Sequence, residues 1–86
     1  MTSFTYQIQD PMGFHARPVG FLAKLASSTK DLVTITFNDK QADARRLYQV
    51  LGLNIKTGDT MTVQIEGEHE TELKAKILEL FKEQQL

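Results

Sequence analysis

The stretch GFHARPVG, residues 13–20, places a histidine, an arginine and a proline within four residues. A neutral imidazole nitrogen is a nucleophile that can form a covalent phosphoryl intermediate. A guanidinium pairs well with phosphate oxygens, and Pro18 fits the first turn of a helix. If His15 lies at or just before the N-cap, the free amides of that helix would attract a phosphate. The residues therefore make His15 and Arg17 candidates for phosphoryl transfer.

A second interpretation of His15 stays open, because a lone histidine near a helix start is usually a cap or a surface residue. His69 lies among glutamates, so we expect it to be a solvated surface residue. These two isolated histidines have no metal-ligand spacing. The chain also carries no Ser-His-Asp pattern and no Gly-rich nucleotide loop. We therefore expect no metal, no cofactor and no kinase activity of its own.

The composition is that of one small soluble domain, with 86 residues, 41% hydrophobic and 24% charged. A net charge of −1 argues against nucleic acid as the main partner. The chain has no cysteine, no signal peptide at its start and no apolar run long enough to cross a membrane. We expect a cytoplasmic protein.

The charge is uneven along the chain. Residues 1–58 carry seven basic and four acidic side chains, whereas residues 59–86 carry three basic and seven acidic ones. The stretch GFHARPVG lies in the basic part, which suits an acidic partner or an anion.

Alternation of apolar and polar residues predicts the strands. The apolar positions of three of them are Phe4, Tyr6 and Ile8, then Val33, Ile35 and Phe37, and finally Met61, Val63 and Ile65. Asn38 and Asp39 predict a two-residue hairpin turn that leads into a short polar edge strand over 40–43. Because the alternation leaves one face wet, we expect an antiparallel sheet.

Apolar residues at helical spacing predict three helices, over 16–28, 45–53 and 68–85. The first buries Val19, Leu22, Ala23 and Ala26, and the last buries Leu73, Ile77, Leu80 and Phe81. In the last helix we expect the i, i+4 ion pairs Glu70–Lys74 and Glu72–Lys76. The order β-α-β-β-α-β-α predicts an α+β fold. It is an open-faced β-sandwich, a four-stranded antiparallel sheet covered on one face by three helices.

The second predicted helix has too many apolar residues for one face. With Val50 and Leu53 pointing inward, Leu47, Tyr48 and Leu51 would form an exposed patch of the kind found at interfaces. The alternative is that this helix is mostly buried.

Gly20, Lys24 and Ser27 share another face of the first helix. Glycine is a poor helix former. Either something approaches the backbone at Gly20 or the helix simply tolerates it.

The octapeptide GFHARPVG resembles the active-site stretch of the HPr family, the histidine-containing phosphocarriers of the bacterial sugar phosphotransferase system. The length, the element order, the NDK hairpin and the acidic final helix with ELKAKILELF are similar as well. The resemblance covers essentially the whole chain, which implies a single phosphocarrier domain over residues 1–86.

The resemblance implies that His15 receives a phosphoryl group on Nδ1 from phosphorylated enzyme I and passes it to a sugar-specific enzyme IIA. Arg17 would contact that group, and the backbone amides of Ala16 and Arg17 would help hold it. Such a carrier is a substrate of other enzymes rather than an enzyme, and it is usually a monomer.

The resemblance also implies a surface that docks donor and acceptor in turn. Its positions match the apolar patch inferred above and the polar face of the first helix, namely Gly20, Lys24, Ser27, Leu47, Tyr48 and Leu51. Many members carry a regulatory serine where this chain has Arg46, so we do not expect serine-linked control here. We expect Arg46 to offer a cation to an acidic partner surface.

Two other classes compete with the carrier. One is a regulatory interaction module that keeps the fold and the apolar patch but lies outside sugar uptake. The intact set of His15, Arg17 and Pro18 favours the carrier, because a pure binder does not need the nucleophile. The other is a nucleic-acid-binding domain, which the net charge and the alternating aromatics disfavour.

Overall fold

Seven helices and strands follow one another in the predicted order. The computed structural model describes residues 1–86. Its elements are β1 (Thr2–Gln7), α1 (Ala16–Ser27), β2 (Leu32–Phe37), β3 (Lys40–Asp43), α2 (Leu47–Leu51), β4 (Thr60–Glu66) and α3 (Glu70–Glu83). The predicted fold class is confirmed.

The four strands form one antiparallel sheet in the order β1-β4-β2-β3. Its register aligns residues of like polarity across the strands, because side chains alternate between the two faces of a strand. One apolar row contains Phe4, Val63, Ile35 and Ala42, and the next row, on the opposite face, contains Thr5, Thr62, Thr36 and Gln41. The apolar face packs against the helices, and the threonine-rich face is left uncovered.

The β2–β3 hairpin turns at the predicted pair of residues. Asn38 and Asp39 have φ of 51° and 63°, and Phe37 pairs with Lys40 across the strands. Two consecutive positive φ angles give a turn whose twist matches that of the flanking strands. Asn and Asp tolerate this backbone region better than most residues do.

The core lies between the apolar sheet face and the helices. The buried residues of α1 are Pro18, Val19, Leu22 and Ala26, and those of α3 are Leu73, Ile77 and Phe81. Ala23 and Leu80, which we expected in the core, are only partly buried. No helix is both long and apolar enough to cross a membrane.

The ion pair expected between Glu70 and Lys74 is absent, and so is the one between Glu72 and Lys76. Glu70 instead accepts hydrogen bonds from the Thr2 hydroxyl at 2.9 Å and the Gly67 N–H at 3.0 Å. Lys74 lies over the ring of Phe4, 5.7 Å from its centroid. Tertiary contacts with β1 therefore replace the local pair.

Helix α2 is shorter than the predicted 45–53. Asp43 accepts hydrogen bonds from the Arg45 backbone N–H at 3.0 Å and from its guanidinium, which holds Arg45 in a turn before the helix. Arg46 is the N-cap, and the helix ends at Leu51.

Candidate functional site

His15 is the N-cap of α1, as predicted from its place before Pro18. Its backbone is extended, with φ −94° and ψ −180°, and its side chain makes no capping hydrogen bond. The His15 carbonyl accepts the Val19 N–H at 3.1 Å. The His15 side chain is 25% exposed, so the ring is accessible to another molecule.

The loop before His15 is held against the segment around Ile55. The Phe14 N–H donates to the Ile55 carbonyl at 3.0 Å, and the Phe14 ring packs edge-on against Phe81. Gly13 has φ +71°, and a Cβ there would lie 2.9 Å from the Ile55 carbonyl oxygen. Glycine is therefore required at this close approach, and the loop positions His15 firmly.

Asp10 is a site residue that the sequence analysis missed. Its Oδ2 lies 3.0 Å from Nε2 of His15, and its Oδ1 accepts the Met12 N–H at 2.9 Å. The Met12 N–H, and after it the hydrogen bond with His15, hold the pKa of Asp10 below its usual value. An aspartate before a proline is typical of a turn, and no periodicity relates a loop side chain to one five residues away.

The other ring nitrogen of His15, Nδ1, makes no hydrogen bond. The backbone amides of Ala16 and Arg17 donate no hydrogen bond within the chain either. The Arg17 side chain is exposed and forms no ion pair. It lines an open depression together with Asp10, His15 and Glu83. The start of α1 thus combines a nucleophilic nitrogen with free donors for an anion.

The apolar patch predicted on α2 is present in reduced form. Val50 and Leu53 are both buried, as predicted. Tyr48 is 84% exposed, whereas Leu47 and Leu51 are half-buried against the core. The alternative of a mostly buried helix is therefore wrong for Tyr48 and holds in part for the two leucines.

Helix α1, which carries the predicted docking residues Gly20, Lys24 and Ser27, packs against α2. Lys24 and Ser27 are exposed, and a Cβ added at Gly20 would meet nothing within 4 Å. Within this chain, the helix simply tolerates Gly20. Phe21, which the sequence analysis did not single out, is 44% exposed and shares a shallow depression with Arg17, Gly20 and Lys24.

Known proteins are similar to this chain in sequence and in fold. The family model described as PTS HPr component phosphorylation site matches residues 2–83. The chain is 40% identical over 67 residues to the phosphocarrier protein HPr of Mycoplasma capricolum, covering 78% of this chain and 75% of that protein. It is 32% identical over 78 residues to the phosphocarrier protein HPr of Mycoplasma genitalium, covering 90% and 89%.

A solved structure of the histidine-containing phosphocarrier protein of Mycoplasma has a TM-score of 0.92 at 32% identity. The match covers 96% of this chain and 94% of that one. The fold and the matches define a phosphocarrier, which is not itself an enzyme. The chain belongs to the HPr family. It carries phosphoryl groups in the phosphotransferase system, and its family implies interaction with components of that system.

Proposed function

We propose that this chain accepts a phosphoryl group from phosphorylated enzyme I on Nδ1 of His15 and passes it to an enzyme IIA during sugar uptake. The observation that carries the proposal is the start of α1. There a partly exposed imidazole with an unpartnered Nδ1 adjoins the free amides of Ala16 and Arg17. Family membership supports it and favours the carrier over the regulatory module.

The transfer is a displacement at phosphorus. The lone pair of His15 Nδ1 attacks the phosphorus of the donor, an N–P bond forms, and the bond to the donor's leaving atom breaks with its electron pair. The phosphoryl oxygens then lie at the positive end of α1. The amides of Ala16 and Arg17 donate to them, and the free guanidinium of Arg17 pairs with them.

Partners dock on the surface formed by α1 and α2. Tyr48 offers an exposed aromatic anchor, and Phe21 adds a second one close to Arg17. Lys24 and Arg46 supply positive charge, which attracts acidic partners and speeds their encounter. Because the same surface serves donor and acceptor in turn, each complex must be weak and short-lived.

The proposed carrier is a single domain over residues 1–86, a monomer, and cytoplasmic. It needs no metal or cofactor, since the donor protein supplies the phosphoryl group already activated. Its acceptors share the need for a histidine-bound phosphoryl group and a surface complementary to α1 and α2.

The test mixes the purified protein with enzyme I and phosphoenolpyruvate and follows intact mass and ³¹P NMR. The wild type gains one acid-labile phosphoryl group. His15→Ala gains none, and the matched variant His69→Ala, which changes the only other histidine, gains one as the wild type does. Phosphorylation of His15→Ala would show that His15 is not the residue that accepts the phosphoryl group. No phosphorylation of the wild type by several bacterial enzyme I proteins would leave the regulatory module as the better assignment.

A further inference from the structure

A carboxylate holds one nitrogen of the reactive imidazole. Oδ2 of Asp10 lies 3.0 Å from Nε2 of His15, and both side chains are largely shielded, with 17% and 25% exposed. No other residue makes a hydrogen bond to the ring. Asp10 is therefore the residue that orients the His15 ring within the chain.

Asp10 is itself fixed in place. Its Oδ1 accepts the Met12 N–H at 2.9 Å, and its carbonyl accepts the Gly13 N–H at 2.8 Å. Its own N–H donates to the Leu86 carbonyl at 3.0 Å. The carboxylate thus loses little freedom on meeting His15, and the contact does not depend on a partner protein.

From this geometry we infer that Asp10 is a positioning residue for phosphoryl transfer, because it fixes the tautomer of His15 that carries its lone pair on Nδ1. An ionised carboxylate has no proton to donate and can only accept. Nε2 must then carry the proton of this hydrogen bond, and whenever the ring is neutral this leaves Nδ1 unprotonated. The inference rests on the proposed function, since it concerns the nitrogen that attacks.

Asp10 also acts on the product of the step. When Nδ1 forms its bond to phosphorus, its lone pair is used and the ring becomes positively charged, while the proton on Nε2 stays in place. The negative charge of Asp10, 3.0 Å from that nitrogen, stabilises the charge that develops. The same contact thus aims the nucleophile and offsets the charge it acquires.

The other charged groups around the ring do not share this role. Arg17 and Glu83 line the same depression, but neither makes a hydrogen bond to His15. Arg17 carries the charge that suits the phosphoryl oxygens rather than the ring. Asp10 is the only carboxylate that is hydrogen-bonded to the imidazole.

The test compares Asp10→Asn with the control Asp39→Asn. Asn at position 10 keeps the acceptor for the Met12 N–H but can turn an N–H donor toward Nε2. Asp39→Asn removes the same charge at the hairpin turn, where φ is +63° and Asn is well tolerated. Urea unfolding of each variant checks that the fold is kept.

The first measurement is ¹⁵N NMR of the imidazole in the unphosphorylated proteins, which needs no donor. We expect the Nε2–H tautomer to dominate in the wild type and in Asp39→Asn, and its population to fall in Asp10→Asn. An unchanged tautomer population in Asp10→Asn would overturn the inference, whether or not the protein is a carrier.

The second measurement is phosphorylation by enzyme I with this protein as the varied substrate. We expect kcat to fall by about tenfold or more in Asp10→Asn, as for other carboxylates that orient a histidine. KM should stay near that of the wild type, since Asp10 lies in the loop before α1 rather than on the docking helices. A changed tautomer with an unchanged kcat would also overturn the positioning role. A wild type that accepts no phosphoryl group would instead refute the proposed function.

Discussion

His15 and Arg17 are two residues apart but are constrained very differently. His15 is fixed by the loop that Gly13 closes and by its contact with Asp10. Arg17 is exposed and makes no ion pair within the chain. A nucleophile gains from being held near its attack geometry. In the proposed transfer, Arg17 must pair with a phosphoryl group that arrives and leaves, so its guanidinium gains from remaining free.

Arg46 is the residue that we expect to offer a cation to an acidic partner surface. It is the N-cap of α2, exposed, and without a side-chain capping bond, so it contributes little to the helix and its charge faces outward. We predict that Arg46→Glu slows phosphoryl transfer from enzyme I by about two- to fivefold, the effect of losing an exposed ion pair of about 0.5–1 kcal/mol. Stopped-flow or quench kinetics of the transfer measure it.

The control for Arg46→Glu is Lys40→Glu, which reverses a charge on the edge strand β3. The free energy of unfolding of both variants, measured in urea, should stay within about 0.5 kcal/mol of the wild-type value, as expected for exposed positions. Equal transfer rates for Arg46→Glu and wild type would show that Arg46 meets no acidic partner surface.

Among the elements, α3 depends on a residue far away in sequence. The buried carboxylate of Asp31 accepts the N–H groups of Glu68 and His69 at 3.1 and 2.8 Å, and so satisfies amides at the start of the helix. Gly67 has φ +156°, and a Cβ there would overlap the Asp31 carboxylate. The short loop before α3 therefore requires glycine at position 67, because any side chain there would displace Asp31.

We predict that Gly67→Ala destabilises the protein by about 2–4 kcal/mol. The added methyl displaces the Asp31 carboxylate and so weakens the hydrogen bonds that it accepts from the N–H groups of Glu68 and His69. A hydrogen bond to a charged group is worth about 1.5–3 kcal/mol. The matched control is Gly58→Ala, which also has positive φ, +88°, but open space around its Cβ. It should cost only the backbone strain, about 1–2 kcal/mol. Equal losses for both in urea unfolding would contradict the role of Asp31.

The elements themselves were predictable because their patterns are strong. Strands with one buried face must alternate, so the sheet followed from Phe4, Val63, Ile35 and their neighbours. The ends of α2 were not predictable from periodicity, because a local bond between Asp43 and Arg45 sets the start of the helix.

The site was predictable in part for a similar reason. His15 and Arg17 follow from their types and their place before Pro18, which are properties of the local sequence. Asp10 and Asp31 act through contacts that only the folded loops create. Their charges carried no signal in the sequence, because an aspartate before a proline, such as Asp10, or at the end of a polar stretch, such as Asp31, is equally typical of a plain turn.

Over the whole molecule, contacts in the folded chain lower the pKa values of three carboxyl groups, those of Asp10, Asp43 and Glu70. The Gly67 N–H, followed by the Thr2 hydroxyl and the amino group of Met1, holds the pKa of Glu70 below 4.5. The pKa of Asp43 is lowered chiefly by the Arg45 side chain, and that of Asp10 chiefly by the Met12 N–H. The contacts of β1, of the loop before His15 and of the turn between β3 and α2 therefore depend on these carboxyl groups being ionised.

Lowered carboxyl pKa values predict a loss of stability in acid. Between the folded and unfolded pKa values the unfolded chain binds more protons, so the free energy of unfolding rises with pH. The contribution is fully present above about pH 4.5, the reference value for Glu70, and is lost as the pH falls through the lower folded value. Glu70→Gln removes the contribution of that group at neutral pH and also its dependence on pH.

We therefore predict that Glu70→Gln is less stable than the wild type at pH 7 and that the difference shrinks as the pH falls below about 4. The control Glu79→Gln removes a charge from an exposed position of α3 that makes no ion pair, and it should follow the wild-type curve. Urea unfolding at a series of pH values measures all three proteins. A difference that stays constant across pH would mean that Glu70 stabilises the fold through its shape and hydrogen-bonding capacity alone, rather than through its charge.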